Sequence, residues 1–249
     1  HAGVAHAVCF EGRWEPPRLT TWNMVRAGHL GTPYLAHARS GADYWHPTRG
    51  LQSEWMYEVA SGGGYLMGMG SHDIDFMCTL FGEPEAVCAD VRTTVRERQR
   101  ADGSTMHVDA DDTAVLLMRM RNGMLVDIFT SAIAFQRSFR SFEAYGSSGS
   151  LFMDGDLMRS DQMELHVGAL GQDAAETVEV AHRKAASGVE APARRAAGAI
   201  TALALMLEDW LPAFSGKPSV APSLVDGDRV ARVIEAARRS SDGGGWVAI

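Results

Sequence analysis

The chain has 249 residues, 46% hydrophobic and 22% charged, with a net charge of −8. That length carries one large domain or two small ones with a sizeable core, and the acidic balance excludes a nucleic-acid backbone or an anionic membrane as the expected partner, since both need a basic face. No apolar run approaches the roughly 18–20 residues needed to span a bilayer, and no basic signal peptide is present.

The chain opens at His1 and enters an apolar run at once. Val4 to Phe10 reads as a short buried strand, and the abrupt entry reads as a chain missing its natural start. Pro16 and Pro17 precede a helical pattern carrying Leu19, Trp22, Met24 and Val25, stopped at Gly28 and Gly31. Pro33 to Arg39 predicts a strand, and Gly41 to Gly50 a loop. Gly62 to Leu80 predicts a helix with a loose, glycine-rich first half, ended by Gly82 and Pro84. Strands then follow at Ala86–Val95, Asp112–Arg121 and Met124–Ala134, with Asn122-Gly123 as a hairpin turn between the last two. Further strands are predicted at 138–145, 150–154 and 163–167. Gln172 to Arg194 reads as a polar surface excursion with a short strand at 177–180. Two helices close the chain, one with Ala199, Leu203, Met206, Trp210 and Leu211 on its apolar face, the other with Val225, Val230, Val233, Ile234 and Ala237. The expected fold is α+β, a large, open, mostly antiparallel sheet of six to nine strands with helices packed on one face. Three cysteines without a C-x-x-C pair fit reduced thiols and a cytoplasmic setting.

The chemistry concentrates in Gly62–Asp75, GGGYLMGMGSHDID. His72 is the leading candidate for proton transfer, because small environmental changes move a histidine across neutral pH. On spacing alone a hydrogen-bonded core histidine is the commoner outcome. Five glycines in one helical entry cost stability, which favours close approach of a ligand or backbone. His72, Asp73 and Asp75 do not share one helix face, so no metal site is expected, and Asp75 reads as the partner of a base at the buried surface. Arg13, Trp14, Trp45 and Tyr65 suit a sugar-like pocket through stacking and hydrogen bonding, although each alone is more often ordinary packing. Arg137, Arg140 and Arg159 give a weak signal for an anion site, and such a cluster is more often a solvated face. No G-x-G-x-x-G, P-loop or G-x-S-x-G pattern occurs in a fitting context.

Several blocks together resemble the Gfo/Idh/MocA family, the relatives of glucose–fructose oxidoreductase and inositol dehydrogenase. They are GVAHAVCFEGRWEPP, VRAGHLGTPYLAHARS, GGGYLMGMGSHDIDFMCTLFGEPEAV, DDTAVLLMRMRNGMLVDI and DGDRVARVIEAARRSSDGGGWVAI. The resemblance implies a Rossmann domain followed by an α+β domain whose open sheet serves as oligomer interface, with residues 1–14 as the remnant of the last Rossmann strand and its connector, and residues 15–249 as the substrate-binding and oligomerisation domain. It implies NAD or NADP as cofactor of the complete enzyme, not held by this chain alone, and a sugar, polyol or related hydroxy or keto compound as substrate. His72 matches the catalytic histidine, and Arg13, Trp45, Tyr65, Gly68 and Asp75 are carried as substrate-side residues. Family dehydrogenases often place aspartate four residues before that histidine, where this chain has Gly68. A non-catalytic binding or assembly module that has lost the cofactor half is the alternative.

Overall fold

In a computed structural model, which describes residues 4–180, 182–186 and 197–249, the elements come largely where apolar periodicity puts them. Helix α1 (Pro16–Arg26) carries both prolines in its first turn, where their missing N–H groups cost nothing. Strand β1 (Pro33–Gly41) follows. A single π-helical turn, Leu66–Gly70, runs directly into α2 (Ser71–Phe81), which Gly82 ends at φ 90°. Next come β2 (Pro84–Arg92), the small hairpin β3 (Glu97–Gln99) and β4 (Thr105–His107), and then β5 (Thr113–Met120) and β6 (Leu125–Ser131) about the Asn122-Gly123 turn. Strands β7 (Phe139–Gly146), β8 (Gly149–Gly155), β9 (Glu164–Ala169) and β10 (Glu176–Val178) continue as a meander. Helices α3 (Ala197–Trp210) and α4 (Leu224–Gly243) and the short β11 (Val247–Ala248) complete the chain. At the start of α4 a capping box between Ser223 and Asp226 satisfies the first free N–H groups.

Among the described residues nine strands form one sheet in the order β10-β9-β8-β7-β1-β6-β5-β2-β11. Every neighbouring pair is antiparallel except β1 and β6. Alternation then sorts the two faces. Ala38, Leu116, Met118, Ile128, Phe142, Leu151 and Met153 point to the helix side and pack with Ile74, Phe76 and Met77 of α2 and Val230, Val233 and Ile234 of α4. The opposite face is open, and Leu35, Val115, Leu117, Leu125 and Tyr145 remain exposed there.

Three expectations change. Val4 to Phe10 forms no strand: its N–H at Val8 bonds to the Pro222 carbonyl and His6 accepts from the Leu224 N–H, at the entry to α4 rather than along a strand. The helix expected from Gly62 begins at Leu66, because Gly62 and Gly64 adopt positive φ and break the run. On α3 the buried face is Ala202, Leu205 and Met206, while Leu211 lies beyond the helix and Val225 in the first turn of α4 is exposed. Within the excursion expected over 172–194, β10 takes the place of the short strand expected at 177–180, and 181 and 187–194 lie outside the described residues.

Candidate active site

The site is built where a short turn, Glu11–Trp14, crosses the start of α2. His72, on the first turn of α2, presents its ring toward this segment, with Nδ1 3.8 Å from a Glu11 carboxylate oxygen. Phe10 meets the ring edge-on at 5.7 Å between centroids. A side chain on Gly12 would come within 3.1 Å of Arg18 and 3.8 Å of His72 Nδ1, so glycine here permits the close crossing. The His72 side chain is 18% exposed, and that exposure opens on a cavity of about 210 Å3 lined by Glu11, Glu15, Tyr44, Met69, Arg140 and Met158 among others.

Behind His72 lies a layer of buried charge. Arg13 grips Asp75 with Nε and a terminal nitrogen at 2.7 and 2.5 Å, and the same nitrogen donates to Asp226 at 3.0 Å. Burial opposes the Arg13 charge, but Asp75 and Asp226 outweigh it and hold the guanidinium more firmly protonated than usual. Arg18 pairs with Asp73, whose other oxygen accepts from Ser40 at 2.8 Å. Burial pushes Asp73 up, yet Arg18, Arg140 and Ser40 bring its carboxyl below the usual range. Arg140 donates to Glu15 at 2.8 Å and leaves its Nε without a partner, beside the cavity that it lines with His72. These pairs fix the turn and α2 against the sheet, so that His72 is held on a rigid base.

The predicted residues therefore divide. His72 faces the cavity, while Arg13 and Asp75 are spent on each other in the layer beneath it. Trp45 and Tyr65 stand together in a second cluster, with ring centroids 5.6 Å apart in a T-shaped contact. They line an adjoining cavity of about 610 Å3 that also takes in Gly62, Gly64 and Gly68. Gly68 is exposed, and a Cβ there would meet nothing within 4 Å. Trp14 is buried away from both, with its indole N–H on Asp209 at 2.8 Å. Arg140 is not part of a solvated face as expected, but inward on β7 in line with Phe142 and Ala144. That inward parity was its signal in the sequence. Glu11, Glu15 and Tyr44 had none, since their roles come from contacts across the fold. Among the described residues no group of three potential ligands is placed to hold a metal.

A dinucleotide needs a glycine-rich turn between a parallel strand and a helix. The chain lacks that fingerprint, and the one parallel pair among the described residues, β1 and β6, is not joined by a crossover that opens a helix at their ends.

Comparison with known proteins agrees with the fold. The model of the GFO/IDH/MocA C-terminal domain matches residues 19–152. The chain is 25% identical over 267 residues to levoglucosan dehydrogenase of Pseudarthrobacter phenanthrenivorans, covering 98% of this chain and 66% of that protein. To an uncharacterised oxidoreductase of Synechocystis sp. it is 23% identical over 199 residues, covering 78% of this chain and 52% of the relative. The chain thus spans between about half and two thirds of the length of these relatives. A solved levoglucosan dehydrogenase in complex with NADH and levoglucosan superposes with a TM-score of 0.83 at 25% identity, over 99% of this chain and 66% of that one. An NAD-binding oxidoreductase from Klebsiella pneumoniae gives 0.83 at 23% identity, over 100% of this chain and 67% of that one. With its C-terminal-domain model matched over more than half of the sequence, and the nine-stranded sheet and α2 block in place, the chain belongs to the GFO/IDH/MocA family of oxidoreductases.

Proposed function

We propose that this chain is the substrate side of an NAD(P)-dependent oxidoreductase acting on a sugar, polyol or related hydroxy or keto compound, with His72 as the proton-transfer residue. The observation that carries the reading is His72 on a cavity that Glu15 and Arg140 also line, backed by Glu11 and braced by the Arg13–Asp75 and Arg18–Asp73 pairs. With Nδ1 toward Glu11, the reading gives Nε2 to the substrate oxygen, which it would deprotonate in oxidation and protonate in reduction. Arg140 and Glu15 would orient neighbouring hydroxyls. The nicotinamide would be held by a domain outside these residues, with residues 1–14 as the connector to it and 15–249 as the substrate domain. The name levoglucosan dehydrogenase on a relative supports a sugar-like substrate. Assembly through the open sheet is part of the reading, supported by the exposed Val115, Leu117, Leu125 and Tyr145 on one face. Among the described residues no helix is long and apolar enough to cross a membrane.

Gly68 favours one competing reading, a binding module without turnover, since no carboxylate stands one turn before His72. NADH and NADPH titration of the full-length natural protein separates the two. Binding of either, with turnover of a hydroxy substrate lost in His72→Asn, supports the enzyme. Absence of binding to both favours the module.

A further inference from the structure

The His72 cavity is small for a complete ligand. Small-molecule sites run roughly 300–1,000 Å3, and this one holds about 210 Å3. It adjoins the larger cavity of about 610 Å3, with Tyr44 and Met69 lining both. The chemistry of the larger one is different. Its walls are Trp45, Trp55, Tyr65, Met56, Met67 and Met69, and its floor is the glycine backbone at 62, 64 and 68. Trp45 is held in an aromatic box, 5.0 Å from Tyr57 and 5.6 Å from Tyr65 between ring centroids, so the wall is preformed. Trp55 stands 52% exposed at the rim. Side chains at Gly62 or Gly68 would meet no atom within 4 Å of their Cβ.

A second sugar ring would need several polar partners. Of the lining groups, the Tyr44 hydroxyl turns to the Met158 sulfur, the Tyr65 hydroxyl is buried without a partner and the Gln52 amide donates to the Tyr44 carbonyl at 3.5 Å, which leaves little beyond the Trp45 and Trp55 indole N–H groups, donors only. An unsatisfied sugar hydroxyl in such a place loses affinity, whereas apolar surface gains it. Methionine beside tryptophan suits a flat, polarisable group.

Building on the proposed sugar or polyol site, we infer that the substrate is amphipathic, with its hydroxylated ring at His72 and an apolar, preferably aromatic, substituent in the Trp45–Trp55–Tyr65 cavity. The absence of a carboxylate at position 68 is then a specificity feature, since an acid there would put charge into the floor of the larger cavity.

The test is binding of matched methyl and phenyl pyranosides of glucose, galactose, mannose and xylose to the full-length natural protein, followed by tryptophan fluorescence and calorimetry with and without NADH. Burial of the phenyl ring predicts about 10- to 50-fold tighter binding than the methyl partner for at least one sugar. Trp55→Ala at the rim and Gly68→Leu, which fills the floor, should each bring that ratio below about threefold. The inference is overturned if no phenyl glycoside outbinds its methyl partner, including if none binds, or if maltose or cellobiose gains as much as the phenyl compound. The two readings fail separately. A phenyl preference in binding that survives with unchanged turnover in His72→Asn would leave the cavity assignment standing and remove the catalytic one. Turnover of methyl glycosides with no phenyl preference would do the reverse.

Discussion

Nδ1 of His72 and the nearer carboxylate oxygen of Glu11 face each other at 3.8 Å, although the residues come from separate elements. The distance is too long for a direct hydrogen bond and short enough for charge to be felt. Proton transfer by a placed side chain contributes typically 10²–10⁴-fold. His72→Asn in the full-length natural protein is therefore expected to lower kcat by at least about 100-fold with cofactor affinity retained. Glu11→Gln should cost less, about tenfold, because it removes only support. Steady-state kinetics with NADH titration reads both, and unchanged turnover in His72→Asn would refute the role.

Arg13 and Asp75 are both almost fully buried, and the bidentate contact is joined by Asp226. Leaving one member of a buried pair alone costs about 3–5 kcal/mol, more than the pair is worth against an apolar replacement. Asp75→Asn or Arg13→Met should each destabilise by that amount in urea melts. The double variant Arg13→Met with Asp75→Leu should lose less than the sum of its singles, and strict additivity would show that the two do not act as a pair.

Glycines near the site divide into those that are required and those that are not. A Cβ at position 63 would sit 2.5 Å from the Met56 carbonyl oxygen and 2.6 Å from that of Trp55, both backbone atoms. At position 68 it would meet nothing. Gly63→Ala should therefore lower stability by several kcal/mol, on the order of a severe backbone clash, while Gly68→Ala gains up to about 1 kcal/mol in a helical setting. Thermal melts compare them directly, and a stable Gly63→Ala protein would contradict the loop geometry.

Asp226 gives the protein an acid limit. Burial alone would raise its pKa, but the Ser223 N–H and hydroxyl and the Arg13 guanidinium lower it to about 2 from 3.8. A folded-state value below the unfolded one stabilises the protein above the unfolded pKa, and that contribution disappears as pH falls through the folded pKa. Stability should thus decline between about pH 4 and pH 2, by about 2 kcal/mol from this group. The buried Asp73, also held low, adds to the same decline. Urea midpoints over that range should flatten in Asp226→Asn, and a decline of equal size in the variant would assign the loss elsewhere.

How far the sequence carried the reading depended on sequence separation. The β5–β6 hairpin was legible from Asn122-Gly123 and flanking apolar runs, because a turn and its strands are local. The His72 block was legible as a motif. The pairs that brace it were not, since Arg13 finds Asp75 62 positions on and Arg140 finds Glu15 at a separation of 125. Asp75 could be read as wanting a base, but not which one. The strands β3, β4 and β11 have two or three residues each, too few for alternation to show. Val4 to Phe10 looked like a strand because composition reports apolarity, whereas a strand also requires an edge to bond to.

The placement of β1 between β6 and β7 fixes when this protein can acquire its site. His37 of β1 meets Asp127 of β6 some 90 positions later in the chain. Because β1 is central, the two halves of the sheet have no direct contact without it, and its neighbours are synthesised long after it. Closing so long a loop is entropically costly and slow. Trp45 donates to the Ala132 carbonyl just beyond β6, and the His72 cavity is lined by Arg140 of β7, so both environments are completed only after β6 and β7 have joined β1. Refolding followed through Trp45 and Trp55 should therefore lag behind the backbone signal.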